Sequence, residues 1–146
     1  MKKISRTALL NYSARQMYQV VNDVALYPTF LPWCSDAQVH RETDAEMQAS
    51  ITISKLGINK TFSTSNHLTP NERIEMRLVD GPFSFLQGEW VFKALGDQAC
   101  KISFEIEFEV SSGLMGSVLG GVFEQIAGTL VESFVARATN LYGGAQ

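Results

Sequence analysis

The hydrophobic period changes along this chain, and the change leaves few folds open. Over residues 36–110 apolar side chains recur at alternate positions. Met47, Ala49, Ile51 and Ile53 form one such run, and Ile74, Met76 and Leu78 a second. Ile102, Phe104, Ile106, Phe108 and Val110 form the clearest. A period of two marks strands with one dry face and one wet face. After Ser111-Ser112-Gly113 the period becomes 3.6. Met115, Leu119, Val122, Phe123, Ile126, Leu130, Phe134, Ala138 and Leu141 then fall on one stripe. Residues 114–146 carry only three charged side chains, Glu124, Glu132 and Arg137. A helix this apolar needs a large dry surface to lie on, and the dry face of the strands is the only candidate.

Turn residues divide the period-two region. Leu56-Gly57, Pro70-Asn71, Asp80-Gly81-Pro82 and Gly96-Asp97 separate consecutive strands, which predicts an antiparallel meander. Gly88 reads as a bulge ahead of Trp90, Phe92 and Ala94. Upstream, residues 4–10 read as a first strand. Ser13 is placed to cap a helix over residues 14–23, where Met17, Val20, Val21 and Val24 have helical spacing. Pro28 and Pro32 prevent that helix from continuing, so residues 23–34 are expected to form a short second helix or an irregular loop. Gly116, Gly120 and Gly121 each cost about 1 kcal/mol relative to Ala in a helix interior, which predicts a kink or a separate short helix before the long one. The expected fold is α+β. A curved antiparallel sheet of about seven strands wraps around a long carboxy-terminal helix, with two short helices after the first strand. The 146 residues make a single domain.

Composition narrows the function. The net charge is −3 and no basic stripe stands out, which argues against sequence-specific nucleic-acid binding. Cys34 and Cys100 lie in no CxxC pattern and read as free thiols in a reducing compartment. The basic start is interrupted at Arg6 and Asn11, unlike a signal peptide. No run reaches 18 apolar residues, so no membrane span is expected. His40 and His67 have no partners at metal-ligand spacing, and His67 alternates out of phase with Phe62 and Leu68. Glu105, Glu107 and Glu109 fall on the wet face and read as solvated. With no nucleophile elbow, P-loop or dinucleotide fingerprint, no enzyme activity is expected.

Local motifs sharpen the picture. Gln16-Met17-Tyr18 leads into Val21-Asn22-Asp23-Val24, then Tyr27-Pro28-Thr29-Phe30-Leu31-Pro32-Trp33-Cys34. Leu78-Val79-Asp80-Gly81-Pro82-Phe83, Leu86-Gln87-Gly88-Glu89-Trp90 and Phe134-Val135-Ala136-Arg137-Ala138 follow. Together these resemble the coenzyme Q-binding START-like family of helix-grip proteins. Its bacterial members are also described as ribosome-association toxins of the RatA type, and earlier as oligoketide cyclases. The resemblance implies a non-catalytic protein that holds ubiquinone or a similar polyprenyl quinone, with no other cofactor, and supports respiration as carrier or chaperone. Its alternative implication is a protein that binds the large ribosomal subunit and blocks subunit association. For that reading Lys2, Lys3, Arg6, Arg15 and Lys60 are the available basic patch. The expected location is the cytoplasm, with transient contact at the inner-membrane surface.

The expected ligand wall is the inward set Phe62, Met76, Leu78, Trp90, Phe92, Phe104, Ile106, Phe108, Met115, Leu119, Phe123 and Ile126. It is rich in rings, and its two methionines adapt to ligand shape. The expected gate is Tyr27, Pro28, Phe30, Leu31 and Trp33, a stiff apolar loop. Gly116, Gly120 and Gly121 are placed to let the helix start move. Arg137 is expected either to pair with Asp23 or Asp36 or to be solvated. A tail of about 40 carbons at roughly 0.8 kcal/mol per carbon would sum to about 32 kcal/mol, above the ceiling of roughly 18–21 kcal/mol for non-covalent affinity. Binding is therefore expected at the ring and first prenyl units, with the tail end outside or shared with a second subunit.

Overall fold

The computed structural model describes residues 1–111, 113 and 116–143. The chain begins with β1 (Lys2–Leu10), α1 (Ala14–Asn22), a 3-10 turn (Val24–Leu26) and α2 (Tyr27–Phe30). Six strands follow: β2 (Cys34–Glu42), β3 (Glu46–Lys55), β4 (Ile58–Thr69), β5 (Arg73–Asp80), β6 (Phe83–Ala94) and β7 (Cys100–Val110). Then comes α3 (Gly116–Ala138), which widens into a π-helical turn over Thr139–Gly143. The strands form one antiparallel sheet in the order β1-β7-β6-β5-β4-β3-β2. The meander expected from the turn residues is present, and β1 closes on β7 from Lys2 opposite Phe108 to Leu10 opposite Cys100.

Local chemistry explains the element boundaries. The Ser13 hydroxyl accepts from the Gln16 amide at 3.0 Å, and the Gln16 side chain accepts from the Ser13 amide at 2.9 Å, a reciprocal cap that starts α1. Leu56 and Gly57 have φ of 51° and 83°, the two left-handed residues of a tight hairpin between β3 and β4. Gly81, at φ 142°, must be glycine for a second reason: an added Cβ would sit 2.6 Å from Phe62 Cβ. Register shifts at Cys34/Asp36, Val39/Arg41, Ser63/Thr64 and Phe83/Phe85 mark the irregularities that help bend the sheet around the helix.

Two expectations are corrected here. Gly88 is not a bulge. It stands in regular register opposite Met76 and Ile106, and its bare Cα makes room for Met76, whose Cε would lie 2.8 Å from an added Cβ. The described helix shows no break at Gly120 or Gly121 and runs unbroken from Gly116. Gly116 lies so close to the Ser111 carbonyl that a Cβ would approach it to 2.9 Å.

The dry face of β7 is buried from Ile102 to Phe108, with Ile102 at 0% and Phe108 at 1% exposure. It meets Leu119, Val122, Phe123, Ile126 and Phe134 of α3 in the same core. Each such side chain contributes roughly 1.5–3 kcal/mol on burial. The helix with its π turn spans 28 residues and contains an 18-residue stretch of mean hydropathy 1.3, enough by length and composition to cross a membrane. A test for an unbroken apolar run misses it because isolated polar residues interrupt the stretch. In this fold it packs against β1, β7 and α1 instead. Leu141 leaves the expected stripe and is half exposed. The π turn adds a residue to that turn and so advances the phase. Tyr142 packs there against Tyr12, ring centroids 6.2 Å apart.

Candidate functional site

A partly enclosed cavity lies between the sheet and α3. Every layer of the fold supplies part of its wall. Val21 and Asn22 come from the end of α1, and Val24, Tyr27 and Trp33 from the segment that follows. Ala49 and Ile51 come from β3, Phe62, Thr64 and Asn66 from β4, Ile74 and Met76 from β5. Leu86 and Trp90 from β6, Phe104 and Ile106 from β7, and Phe123, Ile126, Ala127, Leu130 and Phe134 from α3 complete it. The free space inside is about 80 Å³. An apolar cavity of about 150 Å³ is known to stay dry and admit benzene. The space here takes part of a ring, and a larger guest requires the wall to give.

Rings account for the tightness. Trp90 stacks on Phe104 at 4.3 Å between centroids and meets Phe134 edge-on at 5.3 Å. Phe134 also meets Tyr27 at 5.3 Å, and Phe30 at 6.0 Å. At the other end Phe83, Phe108 and Phe123 close the core, with 4.9 Å between Phe83 and Phe123 and 4.6 Å between Phe108 and Phe123. Offset and edge-on ring pairs of this kind stabilise a core beyond their buried area.

Of the expected wall residues, the cavity gathers Phe62, Met76, Trp90, Phe104, Ile106, Phe123 and Ile126. Leu78, Phe92, Phe108 and Leu119 do not reach it. Phe108 is consumed by the Phe83–Phe123 cluster, and Leu119, also in the core, lies one helical turn before Phe123. Phe92 is covered edge-on by Tyr18 of α1 at 5.6 Å. Leu78 lies past Arg77, the last β5 residue paired with β6, and is only partly buried. Met115 lies outside the described residues.

The expected gate splits in the same way. Tyr27 and Trp33 are in the cavity wall, whereas Pro28, Phe30 and Leu31 are not. Pro28 opens α2 with its ring to solvent, and Leu31 is buried in the core at 1% exposure. Phe30 packs on the outer side of Phe134 and carries the Arg137 guanidinium over its ring, 4.8 Å from the centroid. Arg137 therefore stacks rather than pairing; no ion pair to Asp23 or Asp36 forms among the described residues.

Sequence periodicity passed over the polar side chains inside. Thr64 and Asn66 share the parity of Phe62 and Leu68, so the alternation of β4 pointed inward for them too. Both are buried, at 7% and 5% exposure. The Thr64 hydroxyl donates to Asn66 Oδ1 at 2.9 Å. Asn22 Oδ1 and Trp33 Nε1 are buried with no hydrogen-bond partner. The Tyr27 hydroxyl donates to the Val21 carbonyl, and burial holds its pKa far above the usual phenol value. Burial likewise pushes the Cys34 thiol up to about 11 and raises Cys100, so both free cysteines stay protonated at neutral pH. No group of His, Cys, Asp and Glu among the described residues is arranged to hold a metal.

The outer face carries the charge. Glu75, Glu89 and Glu105 stand directly opposite one another across β5, β6 and β7. His67 is exposed there as expected. The basic residues do not form one patch. Lys2 pairs with Glu124 at 2.7 Å and Lys3 with Glu107 at 3.9 Å, and Lys60 on β4 is separated from β1 by three strands.

A sheet that grips one long helix around a ring-lined cavity defines a helix-grip domain. The chain belongs to the family described as polyketide cyclase / dehydrase and lipid transport, which it matches over residues 10–135. It is 48% identical over 143 residues to the ribosome association toxin RatA of Vibrio cholerae, covering 98% of this chain and 99% of that protein. It is 28% identical over 135 residues to the mitochondrial coenzyme Q-binding protein COQ10 of Drosophila melanogaster, covering 90% of this chain and 56% of that protein. The solved Zhui aromatase/cyclase of Streptomyces sp. R1128 superposes with a TM-score of 0.84 over 99% of both chains at 15% identity, which shows a shared fold.

Proposed function

We propose that this protein binds an apolar ligand, a polyprenyl quinone such as ubiquinone, between its sheet and α3, and acts as a carrier or chaperone without catalysing a reaction. The observation that carries this reading is the ring-lined cavity between the sheet and α3, with Tyr27 and Trp33 in its wall. Likeness to a coenzyme Q-binding protein supports the choice of ligand. The lack of catalysis is supported by the wall itself, whose polar side chains include neither a carboxylate nor an imidazole. With about 80 Å³ free, the ring enters only as the flexible Met76 and the start of α3 yield, and most of a long tail stays outside. Such a ligand starts in a membrane, so the protein would work from the cytoplasm with transient contact at the membrane surface.

A second reading is association with the ribosome, the large subunit being the expected site. The 48% identity to a ribosome association toxin over nearly the full length of both chains favours it. The acidic outer face and the dispersed lysines make a broad phosphate-binding surface a poor fit, so contact would fall on ribosomal protein or on a small area.

One preparation tests both readings. The protein is expressed in its native cells, and a gradient run separates ribosomal subunits from free protein. The free fraction is extracted with organic solvent for mass spectrometry. A stoichiometric quinone in the free fraction supports ligand carriage. Co-sedimentation with a subunit and no extracted lipid would replace it with the ribosomal reading.

A further inference from the structure

We infer that the Asn66 amide is a donor inside the cavity that recognises a carbonyl oxygen on the ligand's head, with the Trp33 N–H a second, separate donor in the same wall; this rests on the apolar-ligand reading above. Asn66 is 5% exposed, and its Oδ1 is already occupied by the Thr64 hydroxyl at 2.9 Å. Its NH2 group makes no hydrogen bond to another described residue. That group carries two N–H donors and no acceptor.

The position is a built one. Asn66 stands on a rung of inward residues, between Met47 of β3 and Met76 of β5, and Gly88 follows Met76 on the same rung. Methionine sulfurs are weak acceptors and do not satisfy an amide. The cavity wall contains both Asn66 and Met76, so the amide belongs to the same space that the ligand enters. Trp33 adds a second donor. Its indole Nε1 is buried and unpartnered, and an indole N–H has no acceptor role. Buried polar groups are normally satisfied, and an unused donor in an apolar wall marks a place for an acceptor from outside.

Chemistry narrows the head accordingly. A hydrocarbon leaves both donors unmet. A carbonyl oxygen, with two lone pairs and no proton, fits either donor. A ring with carbonyls on opposite sides, the arrangement in a benzoquinone, can present one to the interior while its tail points away from Asn66. Asn22 Oδ1, also buried and unpartnered, is the wall's spare acceptor and suits a hydroxyl on the same head.

The test compares two probes with one tail, decyl-benzoquinone and decylbenzene. The quinone is followed by quenching of tryptophan emission and decylbenzene by competition against it. The wild-type protein is expected to prefer the quinone by about tenfold or more. Asn66→Leu is expected to weaken the quinone about tenfold and leave decylbenzene within about threefold. Trp33→Phe keeps the ring, removes the N–H, and is expected to weaken the quinone alone by about three- to tenfold, which covers the case in which Asn66→Leu does not fold. Equal affinity of the wild type for both probes, or quinone binding untouched by either substitution, overturns the donor assignment while leaving the cavity reading intact. Failure of both probes to bind the wild type overturns the cavity reading itself.

Discussion

The Trp90 indole lies stacked on the Phe104 ring, with centroids 4.3 Å apart and planes inclined by 25°. Phe104 is both core, at 1% exposure, and cavity wall. Phe104→Ala removes the stack and merges its volume with space that is already free. Replacing a buried Phe costs about 3–5 kcal/mol in general, and the lower end applies here because one side of the ring faces the cavity. The urea midpoint and the emission of Trp90 should both move. A loss below about 1 kcal/mol would contradict the stack.

Gly88 and Met76 make a matched pair, since the absent side chain of one leaves room for the other. Gly88→Ala should push the Met76 methyl into the cavity. The thioether is flexible, so stability should change by less than about 1 kcal/mol, while uptake of an apolar ligand weakens several-fold. Combining Gly88→Ala with Met76→Ala should restore uptake, a coupling that a double-mutant cycle measures directly.

The buried thiol of Cys34 sets an alkaline limit. Its folded pKa is about 11 against an ordinary value of 9.0, raised by burial and opposed in part by the Asp36 backbone. The unfolded chain releases this proton first. Between pH 9.0 and about 11 it therefore binds fewer protons than the folded chain, and stability falls as pH rises through that window. Cys100 and Tyr27 shift in the same direction. Urea midpoints should be flat below pH 8 and decline above 9, with a shallower decline in Cys34→Ala. A midpoint unchanged up to pH 11 would show that the thiol is not shielded.

Much of the fold was legible because one physical variable, burial, writes itself into alternation. The run from Ile102 to Val110 states which face is dry, and the two left-handed residues Leu56 and Gly57 announce a hairpin. Burial does not say what a buried residue touches. Phe62, Phe104 and Phe108 look alike in sequence, yet the first two line the cavity and the third is used up by Phe83 and Phe123. Gly88 carries two meanings, bulge or vacancy for a neighbour, and only the cross-strand register with Met76 separates them. Thr64 and Asn66 had the right parity for the interior; hydrophobicity alone gave no reason to follow it. Leu141 was misplaced because a 3.6-residue period cannot anticipate a π turn.

The pairing of β1 with β7 ties the beginning of the described chain to residues about a hundred positions later. During synthesis, at roughly 5–20 residues per second, β1 must wait several seconds for its partner to be made. Until then Ile4 and Ala8 have nowhere to dock, and the edge of β7 is absent. Native-like assembly is therefore a late, long-range event, of the kind that folds slowly and relies on protection of nascent apolar segments. Of the seven described strands, the one made first is among the last to find its place.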